Sequence, residues 1–538
     1  TLFRSTGVTY IGEGVLRAQK LTDGGVMGSL GASSAAPANL FFNGGELQYV
    51  GESARTNRGF QLAESAVLNV GHEKTEATFT GSVVGTDRFE KQGPGTLVFN
   101  GNAGLESFRV EQGRLLLQAI DTNPSPGTFS PTNFSQTNLT SLRVAGGTLE
   151  LRGTPEGNVA QTFGSTFYVE EGASEIKVTS VASFDPNNLV ATTNFRSTTL
   201  TLMGQEENSS AVRSPGGSLL FTLNAEASGA PAKILLASES KGMQPWATFR
   251  DLGSNPFGGV NDFASISSTG EITSANNALI TITDTSQWAI TSSSAQAEDN
   301  VSEVASQVFT GTLDRNRFVN TIRYESSADS TITINAGNTL ELLSGAILVA
   351  FDVNAAQKRI MGAGNITGGA FNTKNSDFII HNYNPASTFT IGAGIIDRSR
   401  GVLGSSEGLG SLIEGQSVLK VVGDFNSTTL LLSLQAGIRV SGPGIAPGTV
   451  ITRVDVDNRI VGLSLPALSN QSGGTYTFTE TMNLIQTGVG TTILSGANQY
   501  SGTTFVQGGV LRLDSQNAIP GGIGSSGGTS PIVVEGGV

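Results

Sequence analysis

One short unit recurs along this chain. Thr487-Gly-Val-Gly-Thr-Thr-Ile-Leu-Ser-Gly-Ala-Asn-Gln-Tyr-Ser-Gly-Thr-Thr-Phe-Val-Gln-Gly-Gly-Val-Leu-Arg-Leu513 reads as a strand, a Gly-Ala-Asn turn, a second strand, a Gly-Gly corner and a third strand. The same grammar returns at Gly93-Pro-Gly-Thr-Leu-Val-Phe-Asn-Gly-Asn102 and at Phe108-Arg-Val-Glu-Gln-Gly-Arg-Leu-Leu-Leu117. Repetition of one strand-and-corner unit specifies a solenoid, in which each coil contacts only its neighbours. Strands after a glycine corner are also expected at Gly14, Gly44, Gly146, Gly216 and Gly508. The corners carry Gly-Gly or Gly-x, and the linking loops vary in length. An antiparallel sandwich calls for two-residue hairpin turns instead. A parallel stack is therefore expected, with equivalent strands about 4.8 Å apart.

Composition agrees. Glycine supplies 70 of 538 residues and charged residues only 14%, against roughly 25% in ordinary soluble domains. Strand-length runs of Val, Ile, Leu and Phe argue against disorder. Glycine and β-branched residues argue against long helices. The net charge of −13 and the lack of a basic stripe exclude nucleic acid as a partner. There is no cysteine, which is compatible with an exported repeat protein that needs no disulfides. No run of 18 apolar residues reads as a membrane-spanning helix. The chain starts at Thr1 without a methionine or signal peptide, as a processed product or part of a longer protein would.

Two regions depart from the repeat. Residues 160–310 hold longer polar loops and both tryptophans, Trp246 and Trp288. Residues 417–480 contain Ile438-Arg-Val-Ser-Gly-Pro-Gly-Ile-Ala-Pro-Gly-Thr-Val-Ile-Thr-Arg453. Prolines this close together cannot sit in a central ladder, so a small β module inserted into the solenoid is expected. The division expected is 1–151 and 152–416 as solenoid, the second part with longer loops, 417–480 as the inserted module, and 481–538 as solenoid again.

The stretch Gly490–Leu513 resembles the autotransporter-associated β-strand repeat. The likeness extends to Leu21-Thr-Asp-Gly-Gly-Val-Met-Gly-Ser-Leu-Gly-Ala-Ser-Ser34 and to Asn39–Gly51, and more loosely to Pro245–Phe249 and Phe378–Tyr383. These resemble long repeat-bearing surface proteins of bacteria such as the Verrucomicrobia and Planctomycetes. The resemblance implies a right-handed parallel β-helix at the bacterial cell surface. It departs from an autotransporter in lacking a C-terminal membrane barrel, so self-export by that route is not expected of these 538 residues.

Candidate chemistry is sparse. His72 and His381 are the two histidines. The acid beside His72 is Glu73, which a strand would point to the opposite face. A loop histidine and a strand-face histidine are expected, with no metal site and no catalytic triad. Asp455-Val-Asp-Asn458 and Asp299-Asn-Val-Ser-Glu303 offer oxygen ligands without calcium-loop spacing. A turn explains them equally well, and calcium is the one cofactor reading kept open. Gly362-Ala-Gly-Asn-Ile-Thr-Gly368 lacks the lysine and the helix of a phosphate loop and reads as a corner. A polysaccharide-cleaving groove, the enzyme alternative, would have to gather around Trp246, Arg250, Asp251 and Asp262. Packing of Trp246 against the solenoid is the simpler reading.

No enzyme is therefore expected. With roughly 20–25 residues and about 4.8 Å per coil, the solenoid would extend for about 100 Å. The leading reading is a structural segment of an extracellular fibre or stalk, associating head-to-tail with copies of itself. Its motivation is that Thr9–Arg17 matches Thr504–Arg512, while neither Thr1–Gly7 nor Pro531–Val538 reads as a cap. The alternatives are a surface adhesin that binds glycans or other surfaces, and a polysaccharide-degrading enzyme.

Overall fold

The computed structural model describes residues 4–101, 103–118, 141–155, 158–163, 166–181, 197–203, 212–225, 231–237, 241–253, 259–304, 306–369, 376–403, 409–422, 426–522 and 530–536. The protein is all-β. It divides into two compact units, Thr1–Ala278 and Leu279–Val538.

In the first unit each round of chain lays down strands on successive faces, and each strand pairs in parallel with its equivalent one round later. One face stacks Thr9–Ile11, Leu40–Phe42 and Phe60–Leu62 onto the first half of Val83–Gln92. The second stacks Val15–Ala18, Glu46–Tyr49 and Ala66–Val70 onto the second half of that strand, then Ala103–Val110, Ser141–Val144 and Thr166–Val169. The third runs from Ala54–Thr56 through Thr96–Phe99, Arg114–Gln118 and Thr148–Arg152 to Gly242–Asp251. The parallel order ends at 242–274. There Gly242–Asp251, Asp262–Ile266 and Ile272–Ser274 pair antiparallel, the last two joined by a tight turn at Ser267–Glu271.

Alternation along each strand sends one residue in and the next out. Leu47 and Tyr49 are buried while Glu46 and Gln48 face outward. The interior holds a spine of phenylalanines, Phe42, Phe60, Phe89 and Phe108, with Phe79, Phe99 and Phe163 beside them. Neighbouring ring centroids lie 5.3–6.2 Å apart. Each such pair contributes about 0.5–1.5 kcal/mol beyond its buried area.

The second unit repeats the plan. Asn300–Ser302, Arg317–Tyr324, Thr339–Val349, Ser376–Asn382, Met482–Gly488, Thr504–Val506 and Ile532–Val534 stack in parallel. Ser330–Ile334, Lys358–Met361, Thr388–Ile391, Thr491–Leu494 and Val510–Leu513 form a second parallel face. Ser376–Asn382 pairs directly with Met482–Gly488, so the ladder skips about a hundred residues of sequence without a break.

Within that stretch Thr388–Ile391 and Gly394–Ile395 stay in the parallel faces, whereas among the described residues the strands from Ser399 to Thr479 pair only with one another, and antiparallel. Ser399–Leu403 and Arg439–Ser441 flank Tyr476–Thr479. Leu409–Leu412, Val418–Val422, Ile451–Asp455, Ile460–Leu463 and Gln471–Gly474 make a second small sheet. They share a core that includes Leu403, Leu419, Val440, Val461, Tyr476 and Phe478, with one short helix, Asn426–Ser433, alongside. Pro443 and Pro447 lie in a turn, outside any ladder. At the base, Asp397 accepts hydrogen bonds from the backbone N–H of Met482 (3.1 Å) and Ser501 (2.9 Å). Arg398 pairs with Glu341 at 2.6 Å.

Candidate functional site

The residues singled out for chemistry take structural places. His72 is exposed in a turn, and its carbonyl accepts from Thr75 N–H. His381 is buried on a strand between Leu348 and Thr487. Asp455 accepts from both the backbone and the side-chain amide of Asn458 (3.0 and 2.9 Å), and these bonds hold its carboxyl below the ordinary range. That is the geometry of a turn. Glu303 belongs to an ion pair: Lys358 Nζ sits 2.6 Å from its Oε2, with both side chains fully buried. Gly362 has φ +115° and opens the strand Asn365–Gly368, as a corner does. Trp246 packs half-buried against the first core. Arg250 pairs with Glu175 at 2.8 Å, Asp251 accepts from Gly253 N–H, and Asp262 accepts from Ser274 Oγ. Among the described residues no three His, Asp or Glu side chains gather as a metal site would require.

The outward side chains form rows set by strand register. Glu90, Arg109, Arg143 and Tyr168 follow one another along the second face. Arg109 reaches Glu90 (3.0 Å), Glu111 (2.6 Å) and Glu170 (2.8 Å), and Arg143 also reaches Glu170 (2.8 Å). The Arg143 guanidinium lies 3.8 Å from the Tyr168 ring centroid. Single exposed pairs contribute little, but a network on a rigid ladder holds its members in place. On the third face, buried Glu150 pairs with Arg114 (3.1 Å) and Lys177 (3.5 Å) and accepts from Thr179.

The earlier coils are different. Arg17, Gln48 and Asn69 continue an outward row in register, yet among the described residues their side chains engage no partner. Tyr10 stacks on Phe41 at 5.6 Å with 16° between the rings, and it is 60% exposed. An added Cβ at Gly12 would meet Tyr10 Cε1 at 2.9 Å, so the ring lies over that glycine. Beyond Arg17 the surface opens into a groove of about 590 Å³ lined by Gln19, Lys20, Ser29, Tyr49 and Glu52. The Tyr49 hydroxyl donates to the Glu52 carbonyl and fixes the groove floor. The outer surface of these coils is the strongest candidate for recognition, because Arg17, Gln48 and Asn69 are held on rigid strands and, among the described residues, left unengaged.

Three interior polar groups escaped sequence reasoning. Lys91 sits in the inward row between Leu68 and Val110 and is fully buried. Its Nζ donates to the carbonyls of Gln92 (2.7 Å), Gly93 (2.7 Å) and Gln112 (3.0 Å), and burial pulls its pKa down to about 7. Asn498 accepts from Ile395 N–H (2.8 Å) and donates to the Ala518 carbonyl (2.6 Å). It thereby ties successive coils at the Gly-Ala-Asn turn. The Tyr500 hydroxyl is hydrogen-bonded to Thr504 at 2.6 Å, and burial raises its pKa to about 12. The signal lay in the repeat itself: a Lys or Gln two residues before Gly-x-Gly, and Asn-x-Tyr after the next turn.

Among the described residues no helix is long and apolar enough to cross a membrane, which says nothing about a β-barrel. No solved structure matches the chain. The passenger-associated-transport-repeat model matches residues 89–117 and 484–513. These segments hold Lys91 with its corner and Asn498 with Tyr500. A stretch of 113 residues is 42% identical to the protein named Adhesin BmaC autotransporter from Brucella suis biovar 1 (strain 1330). The match covers 20% of this chain and 3% of that much longer protein. With the repeat present twice, once in each compact unit, the chain carries autotransporter-associated repeats.

Proposed function

We propose that this chain is a stretch of the passenger of a bacterial surface adhesin, exposed at the cell surface or released outside the cell. Its work is binding, with no turnover. The observation that carries this reading is the transport repeat, found twice, beside a 42% identical segment of a relative named as an adhesin. The parallel ladders support a β-helix. They support the right-handed form because parallel crossovers are right-handed in about 98% of cases. In this reading the solenoid is a stiff scaffold, and its outward rows and the 399–479 sheets are the surfaces presented. Partners are glycans or other surface molecules. The test is adhesion of beads coated with the purified chain to cells and matrix components. Coated beads that bind no better than albumin-coated beads would sink the reading.

A second, narrower reading is a fibre segment joined head-to-tail through its coils. It is supported by the interchangeability of the repeat: Val15–Ala18 and Val510–Leu513 follow the same glycine corner and each occupies the same kind of ladder position. Electron micrographs of the concentrated chain distinguish the two. Filaments with an axial repeat favour the fibre, and monodisperse particles oppose it.

A further inference from the structure

We propose that the outer surface of the first three coils, from the Tyr10–Phe41 pair to the groove beside Lys20 and Glu52, binds a neutral oligosaccharide. The inference rests on the adhesin reading and gives it a site and a ligand class. Three observations carry it. The first is contrast within one face. From Glu90 onward the outward charged side chains are tied up in ion pairs with Arg109, Glu170 and Arg143. In the coils before it, Arg17, Gln48 and Asn69 stand in the same kind of row on the same sheet and, among the described residues, are unengaged. Planar amide and guanidinium groups at strand spacing offer paired donors and acceptors, which match vicinal hydroxyls.

The second observation is the aromatic pair. Tyr10 and Phe41 are stacked and project from a rigid sheet. An exposed aromatic surface beside polar groups suits a ligand with both C–H faces and hydroxyls. The third is the groove. Its volume of about 590 Å³ lies within the range of roughly 300–1,000 Å³ typical of small-ligand sites. It presents an amide, an ammonium and a carboxylate from Gln19, Lys20 and Glu52.

Charge selects among sugars. On these coils Glu13, Glu46, Glu52 and Glu64 stand against Arg17 and Lys20, with Arg55 and Lys74 next to the groove-lining Ala54 and Ser53. That balance offers uronates and sulfated chains no excess of positive charge and leaves neutral glycans. A protein partner would call for a larger apolar patch than two aromatic rings provide.

The experiment probes the whole chain on an array carrying neutral and anionic glycans. Three variants accompany it: Tyr10→Ala with Phe41→Ala, Gln48→Ala with Glu52→Ala, and Arg143→Ala as a control on the ion-paired row. Circular dichroism checks that each is folded. Binding confined to neutral glycans, lowered at least tenfold by both double variants and unchanged by the control, is the expected result. Binding only to anionic glycans, or neutral binding that neither double variant lowers, overturns the proposal. If the chain adheres to cells but to no glycan, this inference fails and the adhesin reading stands. If it adheres to neither, both fail.

Discussion

Lys91 and Gln486 fill one position in the two copies of the repeat. Each stands two residues before the first glycine of Gly-x-Gly, and each points into the apolar interior. Lys91 Nζ donates to the Gln92 carbonyl one residue on, and Gln486 Nε2 does the same to the Thr487 carbonyl at 3.2 Å. A sharp corner turns carbonyls inward, where no strand and no water meets them, and a buried carbonyl without a donor is costly. The repeat therefore carries its own donor for each corner. The two side chains differ in charge, and this makes the corner at Lys91 sensitive to pH.

That sensitivity has a definite sign. Burial lowers the pKa of Lys91 in the folded chain to about 7, whereas an unfolded chain holds it near 10.4. Below pH 7 both states are charged and the full penalty of burying the ammonium is present. Between about 7 and 10 the unfolded state binds more protons, so stability rises with pH, by at most about 1.4 kcal/mol per unit. Lys91→Gln installs the neutral residue of the other repeat. Urea unfolding at pH 6.5, 8 and 9.5 should show wild type gaining on the variant as pH rises. A constant difference across the series would mean that Lys91 stays protonated throughout.

The corners were legible in the sequence, and their contents were not. Each of the six glycine corners opens a strand, at Val15, Glu46, Arg114, Thr148, Gly217 and Val510. The physical reason is local: glycine sets the bend and alternation sets the faces. Lys91 reads in sequence as one more solvent-facing polar residue, because nothing local says that a lysine will be turned inward. Ser399–Leu403 pairs with Tyr476–Thr479 across more than seventy residues, beyond the reach of any turn signal. The Pro-Gly turns at 442–448 lie inside the sheets that this pairing closes. At the outer strip, Gln48 and Asn69 become candidates only once the ladder shows which rows are already ion-paired.

Glu303 and Lys358 place an ion pair inside the second unit. Both side chains are fully buried at 2.6 Å, and Glu303 also accepts from the backbone N–H of Phe309 (3.1 Å) and Ser326 (3.3 Å). Burial pulls the pKa of Lys358 down, and the hydrogen bond that its ammonium donates to Glu303 works against that fall. Lys358→Met leaves a buried carboxylate without its counter-charge and should cost about 3–5 kcal/mol. Glu303→Gln with Lys358→Met removes both charges and should recover part of that loss. Guanidinium unfolding of the three proteins checks it. A double variant as unstable as the single would place the cost in packing.

The antiparallel sheets of 399–479 should be removable. The chain leaves the ladder after Ile395 and rejoins it at Met482, and the 3.1 Å bond from Met482 N to Asp397 shows the two ends to be adjacent. Replacing residues 398–481 by four Gly-Ser residues spans that gap. The shortened chain should keep its far-ultraviolet β spectrum and unfold cooperatively. It should lose some stability, because Arg398 and its pairing with Glu341 go with the module. Loss of the β spectrum altogether would show that the segment belongs to the core.

Gly488 and Gly14 separate two costs that a corner glycine can carry. Both have positive φ, +95° and +77°, a region that an L side chain occupies at about 1–2 kcal/mol. At Gly14 an added Cβ meets nothing within 4 Å, so Gly14→Ala should cost about that amount. At Gly488 the same atom would stand 2.2 Å from the backbone carbonyl oxygen of Asn382, on the neighbouring coil. Backbone in a ladder cannot give way as a flexible side chain can. Asn382 is also held by its own side chain, whose Nδ2 donates to the Thr491 carbonyl at 3.0 Å. Gly488→Ala should therefore cost the backbone strain plus the separation of two paired strands, about 3 kcal/mol or more in all. Thermal unfolding of the two variants reads the difference directly. Equal losses at both sites would mean that the coils spread apart freely at the corner, and that close stacking there does not limit the choice to glycine.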